Sequence, residues 1–397
     1  MASAEEYFDR LITDGLAESR MVQMTSLPLT RPIEKNQSAM YWNSLIRTVI
    51  GVSDWRCRTG TFSNPWNSKS SIEFAPPPLA YTPDSFDDIA NTRALELLHE
   101  ARTTDRQLLV LWSGGIDSTL VLTSFIKNML PEDQERIVVC CNFASIIENT
   151  QFYIKHISNK LQCMDYQEFD LTPNLMKKFI VIHGDPGDCL QGPSVPAYAK
   201  LMPDGTHKKP WKNHIAELEQ TCQMHTSNPS YTDGFGKWFV ERVSENLEEV
   251  APENVTTIAD WWWWTYYNFK WEFSCQRPFY FSRQDYTTEF TKDLVEDYAR
   301  NTYFNTADWQ MWSYTNLQEL VGMDRSTHKQ HARDYIFELD HNQVYYDTKI
   351  KTAGAPANLE ARRTSDLPFY FDQNWKGHYW TDTAVEEISI KLLMRFI

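Results

Sequence analysis

The sequence predicts an α/β fold built on a parallel sheet, and three observations carry that expectation. The run Gln107 to Trp112 is largely apolar and continuous, as in a strand buried on both faces. After it, apolar strand-like runs alternate with helical patterns up to about residue 195, the order expected of an α/β domain. Beyond that point the texture turns to long helical patterns with aromatic-rich stretches between them.

Taken in order, residues 1–104 form an N-terminal region with an extended Ser-, Asn- and Pro-rich connection over 60–88, centred on Pro76-Pro77-Pro78. A helix is expected from Asp87 to Arg102, where Ile89, Ala94, Leu95 and Leu98 recur at helical spacing. The core, 105–200, begins with the strand Gln107–Trp112 and a helix from Ile116 to Met129. A second strand, Arg136–Asn142, and a second helix, Glu148–Leu161, follow. A third strand is expected at Met164–Leu171, a short helix at Asn174–Lys178 and a fourth strand at Phe179–His183. Such a sheet places its ligands at the carboxyl ends of its strands. Residues 201–397 form a mainly helical part, with helices at Asn213–Met224, Trp238–Glu249 and Thr291–Arg300.

Composition bounds the function. Hydrophobic residues are 42% and charged residues 23%, ordinary for a folded chain of 397 residues. A net charge of −15 argues against a chain-wide nucleic-acid footprint. The seven cysteines include no Cys-x-x-Cys, so neither a disulfide framework nor a structural zinc site is expected. A reducing compartment, the cytoplasm, is the simpler expectation. No basic n-region with an apolar run opens the chain, and no stretch of about 18 apolar residues suits a membrane span.

The chemistry is concentrated in Ser113-Gly114-Gly115-Ile116-Asp117-Ser118, between the first strand and its helix. Two glycines let backbone N–H groups approach phosphate oxygens, and the helix directs its positive end at the same spot. Ser113 and Ser118 add hydroxyl donors. A carboxylate at Asp117 would be repelled by a polyphosphate unless a metal stood between them, which assigns Asp117 to Mg²⁺. The loop lacks the lysine of a Walker A motif.

The string Ser-Gly-Gly-Ile-Asp-Ser resembles the signature of the ATP pyrophosphatase (PP-loop) superfamily, whose fold is that of the adenine-nucleotide alpha-hydrolases. The resemblance implies that residues 113–118 hold the β- and γ-phosphates of ATP and that the chemistry activates a carbonyl oxygen by adenylation. A second segment, Gly184-Asp185-Pro186-Gly187-Asp188-Cys189-Leu190-Gln191-Gly192, is similar to the Gly-Glu-Gly-Ala-Asp-Glu-Leu-Phe-Gly stretch of asparagine synthetases. That match implies that Asp188 partners Asp117 on Mg²⁺, that Gly184 borders the nucleotide, and that Asp185 deprotonates the incoming amine. Pro186 and Cys189 depart from the family pattern. A third segment, Val344 to Lys351, resembles the late stretch in which asparagine and β-lactam synthetases carry a catalytic lysine, with Lys349 the best fit and Lys351 the fallback. A solvated surface lysine is the plain alternative. The resemblance also places Cys141, Asn142 and Phe143 at the adenine, mostly through backbone contacts; Cys140 and Cys141 also suit a core.

The implied activity is an AMP-forming carbon–nitrogen ligase using ATP and Mg²⁺ on a small-molecule carboxylate and an amine or ammonia. Ala2 stands where a glutaminase would need its nucleophilic cysteine, so ammonia would come from solution or a separate partner, and a homodimer is left open. A PP-loop enzyme acting on a nucleoside, tRNA or DNA base is the alternative; that group often carries a basic groove and paired cysteines, and the sequence displays neither. A non-catalytic nucleotide-binding protein is the third. Two features stay open at this level. Trp261-Trp262-Trp263-Trp264 suits an aromatic core or dimer contact better than a pocket wall with Lys270 or Arg277 meeting an anion, and His183 suits a structural role better than a catalytic one.

Overall fold

The computed structural model describes residues 58–59, 76–191, 205–224, 234–250, 252–271, 274–275, 278, 292–322, 329–349, 369–371 and 377–379. The chain forms an α/β structure around a four-stranded, all-parallel sheet. Helix α1 (Phe86–Thr103) leads into β1 (Gln107–Leu111) and α2 (Ile116–Asn128). Then come β2 (Ile137–Cys141), α3 (Phe143–Glu148), β3 (Gln162–Asp165), α4 (Pro173–Lys178) and β4 (Phe179–His183). The order across the sheet is β3-β2-β1-β4.

This order sets the position of the site. The chain steps outward from β1 to β2 and β3, then returns to lay β4 on the other side of β1. The direction of winding therefore changes at β1, and the crevice between the carboxyl ends of β1 and β4 is where such sheets bind ligands. In that register Leu111 lies opposite His183, which puts the two Gly-rich turns side by side.

Alternate residues of β1, β2 and β4 enter different cores, which explains their nearly unbroken apolar runs. Leu108, Val110, Val139 and Ile182 face a large core containing α1, α2 and the aromatic helices. Leu109, Val138, Cys140 and Val181 face a smaller one with Phe169, Met176 and Tyr298. The large core runs from Phe86 to Tyr345, so the segments 105–200 and 201–397 share it.

The aromatic run forms helix α8 (Ile258–Phe269), which follows α6 (Ile215–Met224) and α7 (Phe235–Val250). Thr257 caps α8 by accepting the Asp260 N–H, and Asp260 accepts the Thr257 N–H in return. Trp261, Trp262, Trp263 and Trp264 are all buried, so the run is core. Helices α9 (Lys292–Asn301), α10 (Ala307–Thr315), α11 (Gln330–Asp340) and α12 (Gln343–Thr348), with a short helix at Leu317–Gly322, follow in the described helical part. A short antiparallel pair, Phe369–Phe371 with Gly377–Tyr379, adds a small sheet to the segment expected to be mainly helical.

Two expected elements are corrected. The helix expected at 148–161 is shorter, 150–157, and a separate helix, α3, precedes it from Phe143, because the Asn142 side chain accepts the Ser145 N–H and starts a turn directly after β2. The strand expected over 164–171 is shorter and earlier, Gln162–Asp165, because Tyr166–Glu168 turns into a 3₁₀ helix.

Candidate active site at the carboxyl ends of β1 and β4

The β1 loop is held by its own hydroxyls. Ser118 Oγ accepts the Ser113 N–H at 3.1 Å and lies 3.0 Å from Ser113 Oγ, which accepts the Gly115 N–H at 3.3 Å. Gly114 has φ +74°, and a Cβ there would lie 2.4 Å from the Ser145 carbonyl and 2.8 Å from Glu148 Cβ. Gly114 is therefore required by backbone conformation and by the approach of α3. Gly115 ends the loop as the residue before α2, and Ile116 opens the helix half-buried against the core.

The β4 turn packs onto the first turn of α2. A Cβ on Gly184 would lie 2.6 Å from the Ser118 nitrogen, and one on Gly187 would lie 2.8 Å from Asp117 Oδ1. Two glycines thus allow the second motif to close on the first, and the short helix α5 (Gly187–Leu190) presents Asp188 beside Asp117.

Asp117 and Asp188 converge on one point, occupied by an ammonium. Lys329 Nζ hydrogen-bonds Asp117 Oδ2 and Asp188 Oδ1. Gln191 Nε2 donates to Asp117 Oδ1 at 3.1 Å, and Lys270 Nζ stands 4.0 Å from Asp188 Oδ2. Burial pushes the Asp117 carboxyl up to about 6; Lys329 opposes the shift, while Asp188 and Asp185 add to it. Burial works against the charge of Lys329, but the two carboxylates outweigh it and hold the ammonium above its ordinary range. Neither Lys329 nor Gln191 was expected at the site from the sequence. Gln191 lies inside the second motif, whereas Lys329 stands in a stretch with no local signature.

Lys349 also reaches the β1 loop. Its Nζ donates to Glu148 Oε1 at 2.6 Å, with both side chains buried, and that oxygen would lie 3.6 Å from a Cβ on Gly115. Tyr345 donates its hydroxyl to the Gly114 carbonyl at 3.1 Å and ties α12 to the loop. The structure thus brings Ser113, Gly114, Gly115, Asp117, Ser118, Gly184, Asp188 and Lys349 to one end of the sheet. Lys351 and Arg277 lie outside the described residues.

The remaining predicted residues take quieter places. Cys141 is buried at the end of β2, and the Asn142 side chain is engaged in capping α3. For Phe143 only the backbone position is described, as the first residue of α3. Asp185 donates its backbone N–H to His183 Nδ1 at 3.3 Å. The Tyr298 hydroxyl donates to the Cys275 carbonyl at 2.6 Å and so receives the proton of His183 Nε2 at 2.7 Å. This fixes His183 as a neutral, structural imidazole with its proton on Nε2.

Among the described residues, no group of three or more His, Cys, Asp or Glu side chains gathers into a metal cage. The convergence of Asp117 and Asp188 on a cation still suits Mg²⁺, which binds through one or two carboxylates and takes its other oxygens from water and phosphates. No helix among the described residues is long and apolar enough to cross a membrane. No protein-family model, curated protein or solved structure matches this chain.

Proposed function

We propose that the chain is an ATP-dependent, AMP-forming carbon–nitrogen ligase of the asparagine-synthetase type, built on a PP-loop nucleotide-binding fold. The observation that carries this reading is the meeting of Asp117 and Asp188. They come from separate loops on adjacent strand ends, yet share one cationic centre at the amino end of α2. Asp117 and Asp188 would hold Mg²⁺, which would supply positive charge to offset that of the departing pyrophosphate.

The chain's own residues position the reactants. The Gly114–Gly115 backbone and the start of α2 face the β- and γ-phosphates. A carboxylate oxygen of the substrate attacks the α-phosphorus, the α–β phosphoanhydride bond breaks, and pyrophosphate leaves. The amine then attacks the acyl carbon, the bond to AMP breaks, and Asp185 takes the proton from the amine. Lys349, beside Gly115, stabilises charge on the α-phosphate. The six described cysteines are free thiols; the reading puts the enzyme in a reducing, cytoplasmic setting, with its ammonia or amine supplied from outside the chain.

Incubation with radiolabelled ATP, Mg²⁺, ammonium and a panel of amino-acid carboxylates tests the reading. AMP and pyrophosphate are the expected products; ADP in their place excludes it. One observation favours the second reading, a PP-loop enzyme of nucleosides or tRNA. Cys141 holds the Cys163 thiol below its ordinary range, two cysteines on neighbouring strands with no Cys-x-x-Cys spacing. Saturable tRNA binding at moderate salt would move the assignment there.

A further inference from the structure

Lys329 contributes a charge that the ligase scheme does not use. Its side chain is 7% exposed and hydrogen-bonds both acids of the candidate metal position. Its backbone is left-handed, with φ 59° and ψ 35°, a conformation that residues bearing a Cβ avoid. Strain of this kind persists where the surroundings over-determine it, and it is common at switch positions. The residue is tied to α11: its carbonyl accepts the Arg333 N–H at 3.0 Å, and α11 packs against α2, the helix bearing Asp117.

The groups facing the ammonium come from several elements. Asp117 belongs to α2 and Asp188 to α5, and Gln191 and Lys270 flank those carboxylates. Two carboxylates this close repel one another unless a cation lies between them. In this arrangement the ammonium supplies that cation, and it takes the place a divalent ion would need.

We propose that Lys329 is a resident counter-ion that closes the divalent-cation position until Mg²⁺ arrives with nucleotide. This rests on the ATP-site reading in one respect: the triphosphate is what draws the ammonium off Asp117 and Asp188. A bare divalent ion must displace an ammonium whose hydrogen-bonded carboxylates, among the described residues, are Asp117 and Asp188 alone. With a triphosphate in the loop, the lysine gains phosphate oxygens as partners and the carboxylates are released to the metal. Metal and nucleotide then bind with positive coupling, each raising the affinity for the other.

The probe is Mn²⁺ alone, titrated into the full chain without nucleotide and followed by electron paramagnetic resonance. Lys329→Met removes the charge while keeping most of the volume, and is expected to bind one Mn²⁺ at least about tenfold more tightly than wild type. Lys329→Arg keeps the charge and should bind as weakly as wild type. Adding Asp117→Asn to Lys329→Met should abolish the gain. Equal Mn²⁺ affinity in wild type and Lys329→Met overturns the proposal and leaves Lys329 a structural cation. A Met variant that folds only with Mn²⁺ supports it. Should that variant fold under neither condition, wild type decides: a Kd for Mn²⁺ below about 100 µM without nucleotide overturns the proposal, and a weaker one supports it. No nucleotide enters these titrations, so a failure of the ligase reading leaves their outcome separate.

Discussion

Around α8, several buried polar side chains meet neutral partners, although the indole N–H groups of Trp261 and Trp309 find none among the described residues; around the β1 loop, charged side chains are crowded together. Trp263 donates its indole N–H to Ser313, Trp264 to Asn246, and the Tyr267 hydroxyl donates to Gln310. Arg58, the one described cation in that cluster, lies over the rings of Tyr267 and Trp271 and donates to Gln310. At the β1 loop, Asp117 and Asp188 share Lys329, and Glu148 faces Lys349. Hydrogen-bonded aromatic packing stabilises a fold with little penalty. Like charges bridged by a buried lysine in a left-handed conformation do not, and their persistence points to function.

The contrast yields predictions of decreasing size. Trp263→Ala removes a fully buried indole from the matched region and should cost about 3–5 kcal/mol in urea denaturation. Smaller loss there would mean that the aromatic region is not the stabilising one. Lys349→Met belongs to the charged region and should lower pyrophosphate release about 10²–10³-fold. Adding Glu148→Gln should restore part of the stability lost by Lys349→Met and none of the rate, which separates a role in turnover from a role in packing.

A third prediction concerns a charged pair remote from the site. Arg102 Nε donates to Asp133 Oδ1 at 2.8 Å, and Leu130 N–H donates to Asp133 Oδ2 at 2.8 Å. The Arg102 hydrogen bond holds the Asp133 carboxyl below its ordinary range, burial opposing. A depressed carboxyl contributes stability above its unfolded pKa and loses it as pH falls through the folded value. Asp133→Asn should therefore cost about 1–2 kcal/mol at neutral pH, Arg102 being partly in water, and the gap to wild type should close as pH falls below the ordinary carboxylate range. A gap that persists in acid would show that the pair works by shape and not by charge.

Much of this was legible in the residues, and the exceptions have physical causes. β1, β2 and β4 lie near the edges of their apolar runs because both faces are buried. β3 is an edge strand whose side chains are mostly exposed, so its length left little trace in the pattern. The start of α3 is set by one cap, Asn142, without apolar periodicity. At the site, Asp117, Asp188 and Lys349 stood in recognisable strings. Lys329 did not: its partners lie 212 and 141 residues away in sequence, and only the packing of α11 on α2 brings them together.

The central claim is that Asp117 and Asp188 act as one centre in cleaving ATP to AMP and pyrophosphate. A double-mutant cycle on pyrophosphate release tests it, using Asp117→Asn, Asp188→Asn and the pair. The account predicts that each single change lowers the rate about 10³-fold and that the double change costs scarcely more than the worse single one. Additive losses, or singles that leave the rate intact, would contradict it.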